Sequence, residues 1–227
     1  MIHLSQERTG PTQYGIVTCN KERRDDMAEN EALYQNRRFD TWPEAWLQLS
    51  GIRFEHCQFT NLALVEWETR HCLFDRCDFS GSRLNASVHR QSAFLNCTFT
   101  NANLFDSAFI ACKMTGSAFA EANWTGVRIQ GGDWSFANLR HARLPKTDFS
   151  GANLEESDLD EADLAQCNFQ NAHLRRANLR RARLTGADFR GAALEGIDFR
   201  QVALDGAIFD FMQSAVVLES LGAEVKE

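Results

Sequence analysis

The sequence predicts an all-β fold in which short repeats, each an extended piece followed by a corner, succeed one another without a break. The first observation behind this prediction is a period of five. Stepping by five from Phe54 to Phe209 meets 32 positions, of which 30 carry large apolar side chains and only Thr69 and His89 do not. This period fits neither an α-helix, with 3.6 residues per turn, nor the alternation of a flat strand, so it indicates a repeat architecture.

The second observation is a column of small residues two positions before each large one. Cys57, Ser82 and Ala152 are typical members. Each unit therefore turns one bulky and one small side chain inward and leaves three residues facing water. Asp or Asn often precedes the large residue, as at Asp78 and Asn138. Such side chains bond to their own backbone and favour turns, which predicts a corner in every unit.

The unit (Ala/Ser/Cys)-(Asp/Asn)-(Leu/Phe)-x-x resembles the pentapeptide-repeat family. This resemblance implies a right-handed quadrilateral parallel β-helix with four units per coil, hence about eight coils over residues 51–210. The charge pattern supports four-sided coils independently, since residues twenty apart then lie on one face of neighbouring coils. At an offset of twenty residues, five of the six acids in residues 155–163 coincide with an arginine in residues 175–183. Offsets of fifteen and twenty-five residues give only two and three such acid–arginine pairs.

Residues 1–50 are expected to form an N-terminal arm and capping segment. Residues 1–38 contain six acids, six bases and few large apolar side chains, which predicts a mobile arm or loosely docked segments. Thr41 and Glu44 fit a capping box, and residues 45–49 then predict one or two helical turns. These turns are expected to cover the apolar end of the first coil, because terminal repeats of a solenoid need a cap.

Two further segments have distinct predictions. Residues 124–134, with Gly131 and Gly132, are the least regular part of the repeats and predict a bend or a widened coil. Residues 211–227 predict a C-terminal helix and tail, with Asp210 as N-cap, Gln213 at its third position and Gly222 at the stop. The helix has more apolar residues than one coil end can cover, which predicts dimerisation through Phe211, Met212, Ala215, Val216, Leu218 and Leu221.

Composition narrows the class of protein. A net charge of −7 argues against direct nucleic-acid binding, and no apolar run approaches the ~20 residues that span a bilayer. Residues 1–8 lack the apolar core of a signal peptide, so a cytoplasmic protein is expected. Six of the seven cysteines fall in the small inward column, which predicts buried small side chains rather than metal ligands or disulfides.

No catalytic motif is present. The chain lacks Gly-x-Ser-x-Gly, a phosphate-binding loop and His-Glu-x-x-His, and its six histidines have no ligand spacing. The sequence therefore predicts a protein that is not an enzyme and has no catalytic residues, no metal site and no cofactor. His89 is the one polar bulky residue in the large column, and it leaves two interpretations open, a functional site or a hydrogen-bonded core histidine.

Within the family the chain resembles the mycobacterial MfpA group and, more loosely, the Qnr group. The resemblance depends on residues 76–81, on His89-Arg90, on residues 92–94 and 96–99, and on the C-terminal helix. It implies an end-to-end homodimer formed by the C-terminal helices. It also implies a rod that mimics DNA, binds DNA gyrase in its place, inhibits this topoisomerase and protects it from fluoroquinolones, an antibiotic-resistance function. Unlike those groups, the chain has about 50 residues before the repeats and no loops that break the repeat frame.

Charge limits how far the mimicry extends. A dimer would carry −14, whereas DNA of the same length, ~77 Å, carries ~45 phosphates. We therefore expect a local acidic stripe facing gyrase, made of acids in the last coils that lack basic partners: Asp188, Glu195, Asp198, Asp205 and Asp210. The alternative function is a non-catalytic interaction scaffold with a different protein partner.

Overall fold

The computed structural model describes residues 15–17 and 32–226. Two short 3-10 helices cover Glu44–Trp46 and Phe199–Gln201, and one α-helix, α1, covers Phe211–Ser220. The strands of the described residues are three residues long: Gly15–Val17 (β1), Leu33–Gln35 (β2), Arg37–Phe39 (β3), Gln48–Ser50 (β4), Arg53–Glu55 (β5), Glu68–Arg70 (β6), Leu73–Asp75 (β7), Val88–Arg90 (β8), Ala93–Leu95 (β9), Ala108–Ile110 (β10) and Arg128–Gln130 (β11).

The strands pair in parallel with a register of twenty residues. Phe54 lies opposite Phe74, and Thr69 lies opposite His89. Single bridges continue the same register as far as Asp188 and Ile208. The bridges fall in four columns, so each coil has four faces, which we number by their inward residues: face 1 contains Phe54 and Phe74, face 2 Phe59 and Phe79, face 3 Leu64 and Leu84, and face 4 Thr69 and His89. The predicted four-sided parallel β-helix is confirmed.

The corners explain the Asp and Asn residues of the repeat. At thirteen corners an Asp or Asn side chain before the large residue accepts the N–H of the residue two positions later. Asp78 Oδ1, for example, accepts from Ser80 N at 2.9 Å. The residue two positions after the large one has positive φ, and it is Asn61 or Gly81 in neighbouring coils of face 2. Asn and Gly tolerate this left-handed backbone best, and the corner selects them.

The core consists of side chains stacked from coil to coil. The ring centroids of Phe54 and Phe74 are 5.1 Å apart and those of Phe74 and Phe94 are 4.6 Å apart, which follows the spacing of neighbouring strands. The small inward column satisfies backbone carbonyls, since Cys97 Sγ donates to Phe74 O at 3.3 Å. The six described cysteines are free and buried, and burial raises the pKa of the Cys112 thiol to about 11. The interpretation of these cysteines as buried small side chains is confirmed for those six.

The coils start earlier than residue 51. Leu33 pairs with Arg53 in the twenty-residue register, so the coil count differs slightly from the predicted eight. Two aromatic rings extend the core stacks into this first coil: Tyr34 stacks on Phe54 at 5.1 Å, and Phe39 stacks on Phe59 at 4.9 Å. For residues 32–38 the prediction of a mobile or loosely docked arm is wrong, because β2 and β3 pair with the next coil. The rest of the predicted arm lies outside the described residues, apart from β1, whose backbone pairs with β3.

The predicted capping box is wrong. The segment forms a single 3-10 turn, Glu44–Trp46, whose N-cap is Pro43 and which has no side-chain cap. Tertiary contacts hold the turn instead, because the indole N–H groups of Trp42 and Trp67 both donate to Trp46 O, at 3.2 and 3.1 Å.

The predicted irregularity is present in the middle of the rod. On faces 3 and 4 no backbone hydrogen bond of the described chain joins residues 120–131 to residues 139–151. The other two faces remain paired, through Ala118 with Asn138 and Asp133 with Asn153. At this interruption the centroids of the Trp124 and Phe119 rings are 4.9 Å apart.

Gly132 provides a sharp test of this region. It has φ +91°, and a Cβ there would lie 2.3 Å from Cys112 O, whereas Gly131 has φ +57° and open space around its Cβ position. Both alanine variants have backbone strain, but only Gly132→Ala adds a clash with backbone. We expect Gly132→Ala to lower the free energy of unfolding by about 2–3 kcal/mol more than Gly131→Ala. Urea denaturation measures this difference, and equal effects would contradict the packing described here.

The C-terminal helix begins and ends as predicted. Asp210 Oδ1 accepts the N–H groups of Met212 and Gln213 at 3.0 and 3.3 Å, and Gly222 has φ +92° just after the helix. Gln213 does not complete a capping box, because its Nε2 donates to Ala192 O at 3.1 Å and so anchors the helix to the last coil. Val217 is buried at the same contact.

Candidate functional site

The C-terminal helix presents an apolar surface at one end of the rod. Phe211 is 85% exposed and Met212 is 71% exposed, although both are large and apolar. Leu218 and Leu221 are about half exposed. Of the other predicted interface residues, Val216 packs against the core and Ala215 is half-buried. The exposed surface therefore consists of four side chains, which we call the helix patch: Phe211, Met212, Leu218 and Leu221.

The acids predicted to face gyrase are mostly paired, so the expectation that they lack basic partners is wrong. Asp188 bonds Arg190 at 2.6 Å, and Asp198 bonds Arg200 at 2.7 Å. In each case the two side chains flank one inward phenylalanine and point to the same outer side. The Arg190 guanidinium holds the pKa of Asp188 well below its usual range, and Arg200 lowers that of Asp198 to about 2.

The other three acids differ from one another. Glu195 bonds Arg175 at 3.1 Å, and Asp210 caps the helix and also accepts the N–H of Gly191 at 2.9 Å. Asp205 has no basic partner among the described residues. By their register the five acids lie on all four faces, so they form a ring around the last coils rather than a stripe. Residues 53–210 contain 17 basic and 20 acidic side chains, a net of only −3.

The cross-coil charge ladder is largely as predicted. Four of the five predicted pairs form, with closest distances of 3.4, 2.8, 2.6 and 3.4 Å: Glu156–Arg176, Asp160–Arg180, Glu161–Arg181 and Asp163–Arg183. The fifth, Glu155–Arg175, does not form, because Arg175 bonds Glu195 in the next coil. Asp160 is buried between Arg140 and Arg180, each at 2.8 Å, and the hydrogen bond from Arg180 lowers its pKa.

His89 is a hydrogen-bonded core residue rather than a site. It is fully buried, and its Nδ1 lies 2.8 Å from Thr69 Oγ1 while its Nε2 lies 3.0 Å from Ser87 Oγ. The imidazole stacks on Phe109 at 5.1 Å. Thr69 and His89, the two exceptions in the large column, thus lie one coil apart and form a hydrogen bond with each other.

Burial lowers the pKa of His89 to about 3. Between that value and ~6.5 the unfolded chain binds a proton that the folded chain does not, so stability from this residue is complete above ~6.5 and is lost as pH falls. We expect the free energy of unfolding of the wild type to fall by about 2 kcal/mol relative to a His89→Phe/Thr69→Val variant between pH 7 and pH 5. Denaturant titrations at both pH values test this, and a pH-independent difference would contradict it.

The described residues contain no group of three or more His, Cys, Asp or Glu placed to hold a metal ion. None of their helices has the length and apolar character needed to cross a membrane.

Comparisons with known proteins agree with this architecture. Residues 102–179 match the model of a pentapeptide repeat region, and residues 162–201 and 182–212 match the model of pentapeptide repeats. The pentapeptide repeat protein MfpA of Mycobacterium tuberculosis is 43% identical over 63 residues, which cover 26% of this chain and 34% of MfpA. The alignment thus covers about a third of that relative.

Solved structures of QnrB1, described as a plasmid-mediated fluoroquinolone resistance protein, share the fold. A trypsin-treated form superposes with a TM-score of 0.75 at 20% identity, over 87% of this chain and 99% of the other. The full-length form gives 0.58 at 20% identity, over 86% and 100%. The repeat, its four-sided coils and these matches lead to one conclusion: the chain belongs to the pentapeptide-repeat family.

Proposed function

We propose that the protein is a non-catalytic homodimeric rod that binds DNA gyrase in the cytoplasm in place of DNA, modulates its activity and protects it from fluoroquinolones. The observation that carries this proposal is the 43% identity with MfpA over 63 residues. The sequence resemblance to the MfpA and Qnr groups implies gyrase as the partner, and the shared shape with the fluoroquinolone-resistance protein QnrB1 is consistent with it.

The helix patch supports a second copy of the chain as the occupant of the C-terminal end. Phe211 and Met212 are the two most exposed large apolar side chains in the described structure. They lie on a helix whose other side is already anchored through Gln213 and Val217. An isologous contact between two such helices would bury both patches and join the rods end to end.

An end-to-end dimer would bring the acidic rings of two chains together. Because the ring lies next to the C-terminal helix, two rings would flank the centre of an end-to-end dimer. We propose that this double ring, rather than a stripe, faces the cationic DNA-binding surface of gyrase. Its members remain Asp188, Glu195, Asp198, Asp205 and Asp210.

A supercoiling assay with purified gyrase tests the function directly. We expect the protein to inhibit supercoiling at micromolar or lower concentration, and to reduce ciprofloxacin-dependent DNA cleavage at the same concentration. Absence of any effect on gyrase would refute the proposal.

Charge reversal tests the ring separately. Asp198→Lys/Asp205→Lys changes two outward side chains and leaves the helix cap, Asp210, intact. We expect inhibition of gyrase to weaken at least about tenfold, since like charges then meet at the interface. Asp148→Lys, a reversal in the middle of the rod, is the matched control. Unchanged inhibition by the double variant would exclude the ring as the contact.

One observation favours the alternative function, a scaffold for another protein partner. The solenoid surface is nearly neutral, and three of the five ring acids are neutralised by arginines of the same chain. If the protein dimerises but has no effect on gyrase supercoiling, the scaffold function is favoured over the gyrase function.

A further inference from the structure

Two adjacent faces of the rod lose their backbone ladder between the same two coils. On face 3, Asn123 bridges Asn103 in the coil before it. Arg143 bridges Asp163 in the coil after it, yet Asn123 and Arg143 have no bridge to each other. Face 4 is interrupted between the same coils, because β11 pairs with β10 only. We call this gap, between residues 120–131 and the following coil, the wedge.

The other two faces stay joined across the wedge. On face 1, Met114 N donates to Asp133 O at 2.6 Å, and on face 2 Asn138 N donates to Ser117 O at 2.8 Å. The two parts of the rod are therefore connected along the corner between faces 1 and 2. They are separated along the diagonally opposite corner, between faces 3 and 4, which is the arrangement of a hinge.

The wedge is the one such place in the regular part of the solenoid. Every other pair of neighbouring coils between residues 53 and 190 is bridged on all four faces. Each of the two parts of the rod is thus held by a continuous ladder. Relative motion within the rod is expected where half of that ladder is missing, because local opening follows the weakest set of contacts.

The inward side chains beside the wedge are less buried than those of the coil before it. Ala122 and Val127 belong to the small inward column, and both are only partly buried. Ala102 and Ser107, at the same positions one coil earlier, are fully buried. Fewer buried contacts at the wedge lower the free energy needed to open it further.

Two consecutive glycines lie where the coil leaves the wedge. Gly131 and Gly132 form the corner between face 4 and face 1, with φ +57° and +91°, and the sequence contains no other Gly-Gly pair. No atom lies within 4 Å of the Cβ position of Gly131. Glycine accepts a wide range of backbone angles, so this corner can absorb the dihedral changes that a hinge requires.

We propose that the wedge is a hinge about which the two parts of the rod tilt. The paired corner between faces 1 and 2 is the axis, and the corner between faces 3 and 4 opens and closes. Tilting changes the direction of the N-terminal repeats relative to the C-terminal helix, so that the rod can follow protein surfaces of different curvature. This conformational device is independent of which protein is the partner.

The test measures distances between pairs of spin labels by double electron–electron resonance in the full-length protein. A Cys19→Ser background leaves six cysteines, all buried, so that labels attach to introduced cysteines. Glu66→Cys/Gln166→Cys labels the corner between faces 3 and 4, and His56→Cys/Glu156→Cys labels the corner between faces 1 and 2. All four positions are exposed and have positive φ. Each pair is five coils apart, ~24 Å at ~4.8 Å per coil.

We expect the distance distribution at the corner between faces 3 and 4 to be at least about twice as broad as that of the matched pair at the axis. Because the two pairs share their spacing and backbone conformation, the labels themselves broaden both distributions equally. Distributions of equal width would overturn the proposal whatever their mean distances, since a static gap lengthens a distance without broadening it. Far-UV circular dichroism checks that both labelled variants are folded.

Hydrogen exchange provides a second test on the unmodified protein. The backbone N–H of Trp124 donates to no backbone carbonyl of the described residues, and Trp124 is only 5% exposed, so burial is its main protection. Leu104, in the same column one coil earlier, donates to Asn123 O at 3.0 Å and is the matched control. We expect the Trp124 amide to exchange at least about a hundredfold faster than the Leu104 amide. Equal protection of the two amides would overturn the proposal.

Discussion

Replacement of Phe79 by alanine is expected to lower the free energy of unfolding by about 3–5 kcal/mol, because it removes a ring from the middle of a stack. Phe79 is fully buried and lies 4.7 Å from Phe59 and 4.9 Å from Phe99, in the coils before and after it. The cavity cannot collapse, since the backbone ladder fixes the distance between coils. Chemical denaturation followed by far-UV circular dichroism measures the loss.

Phe136→Ala is the matched control for this prediction. Phe136 lies at an outer corner and is 56% exposed, so its removal deletes no stack. We expect its effect to stay within about 0.5 kcal/mol. Similar losses for the two variants would show that inward stacking is not what stabilises the solenoid.

The second large effect concerns assembly. Phe211→Glu/Leu218→Lys places charge on the helix patch, and we expect it to weaken dimerisation by at least about a hundredfold, since exposed apolar anchors dominate such contacts. Glutamate suits the first helical turn beside Asp210, so the helix itself should persist. Light scattering over a concentration series gives the mass.

The control for assembly is Glu219→Lys, which changes a charged, exposed residue on the same helix without touching the patch. It is expected to dimerise as the wild type does. A wild type that is monomeric at high micromolar concentration would contradict the assignment of a second copy to the patch, as would a double variant that dimerises normally. Circular dichroism distinguishes loss of assembly from loss of the helix.

Much of the fold was predictable because each coil repeats the same physical constraint. The period of five identifies the inward residues. The resemblance to the pentapeptide-repeat family implies four units per coil, and the offset of twenty between acids and arginines supports that number independently. Thr69 and His89 are themselves twenty apart, so their pairing was readable from the same register. The early start was also visible, since Tyr34, Phe39 and Leu49 continue the period of five backwards and only Glu44 interrupts it.

The surface was predicted less well, because charges have several partners within reach. Arg175 lies between Glu155 and Glu195, one coil away on either side, and the sequence does not say which one it bonds. The pairs of Asp188 with Arg190 and Asp198 with Arg200 join residues two positions apart in one coil, so the offset of twenty does not reveal them. The signal was present, since both read Asp-Phe-Arg, and residues flanking one inward phenylalanine must share an outer side.

The interruption of backbone pairing on faces 3 and 4 was foreseeable only as an irregularity of the repeat. Residues 124–134 depart from the repeat in sequence, but the sequence does not show that pairing is lost on two faces, beside the contact of Trp124 with Phe119. The five-residue period of the sequence does not encode side-chain packing of this kind.

Competition for gyrase tests the central claim most directly. A preformed complex of gyrase with a fluorescently labelled DNA duplex is titrated with the protein, and DNA release is followed by anisotropy. We predict that the wild type releases the DNA at micromolar or lower concentration and that the Phe211→Glu/Leu218→Lys monomer does so much less well. DNA that stays bound at saturating wild-type protein would contradict a rod that occupies the DNA-binding surface of gyrase.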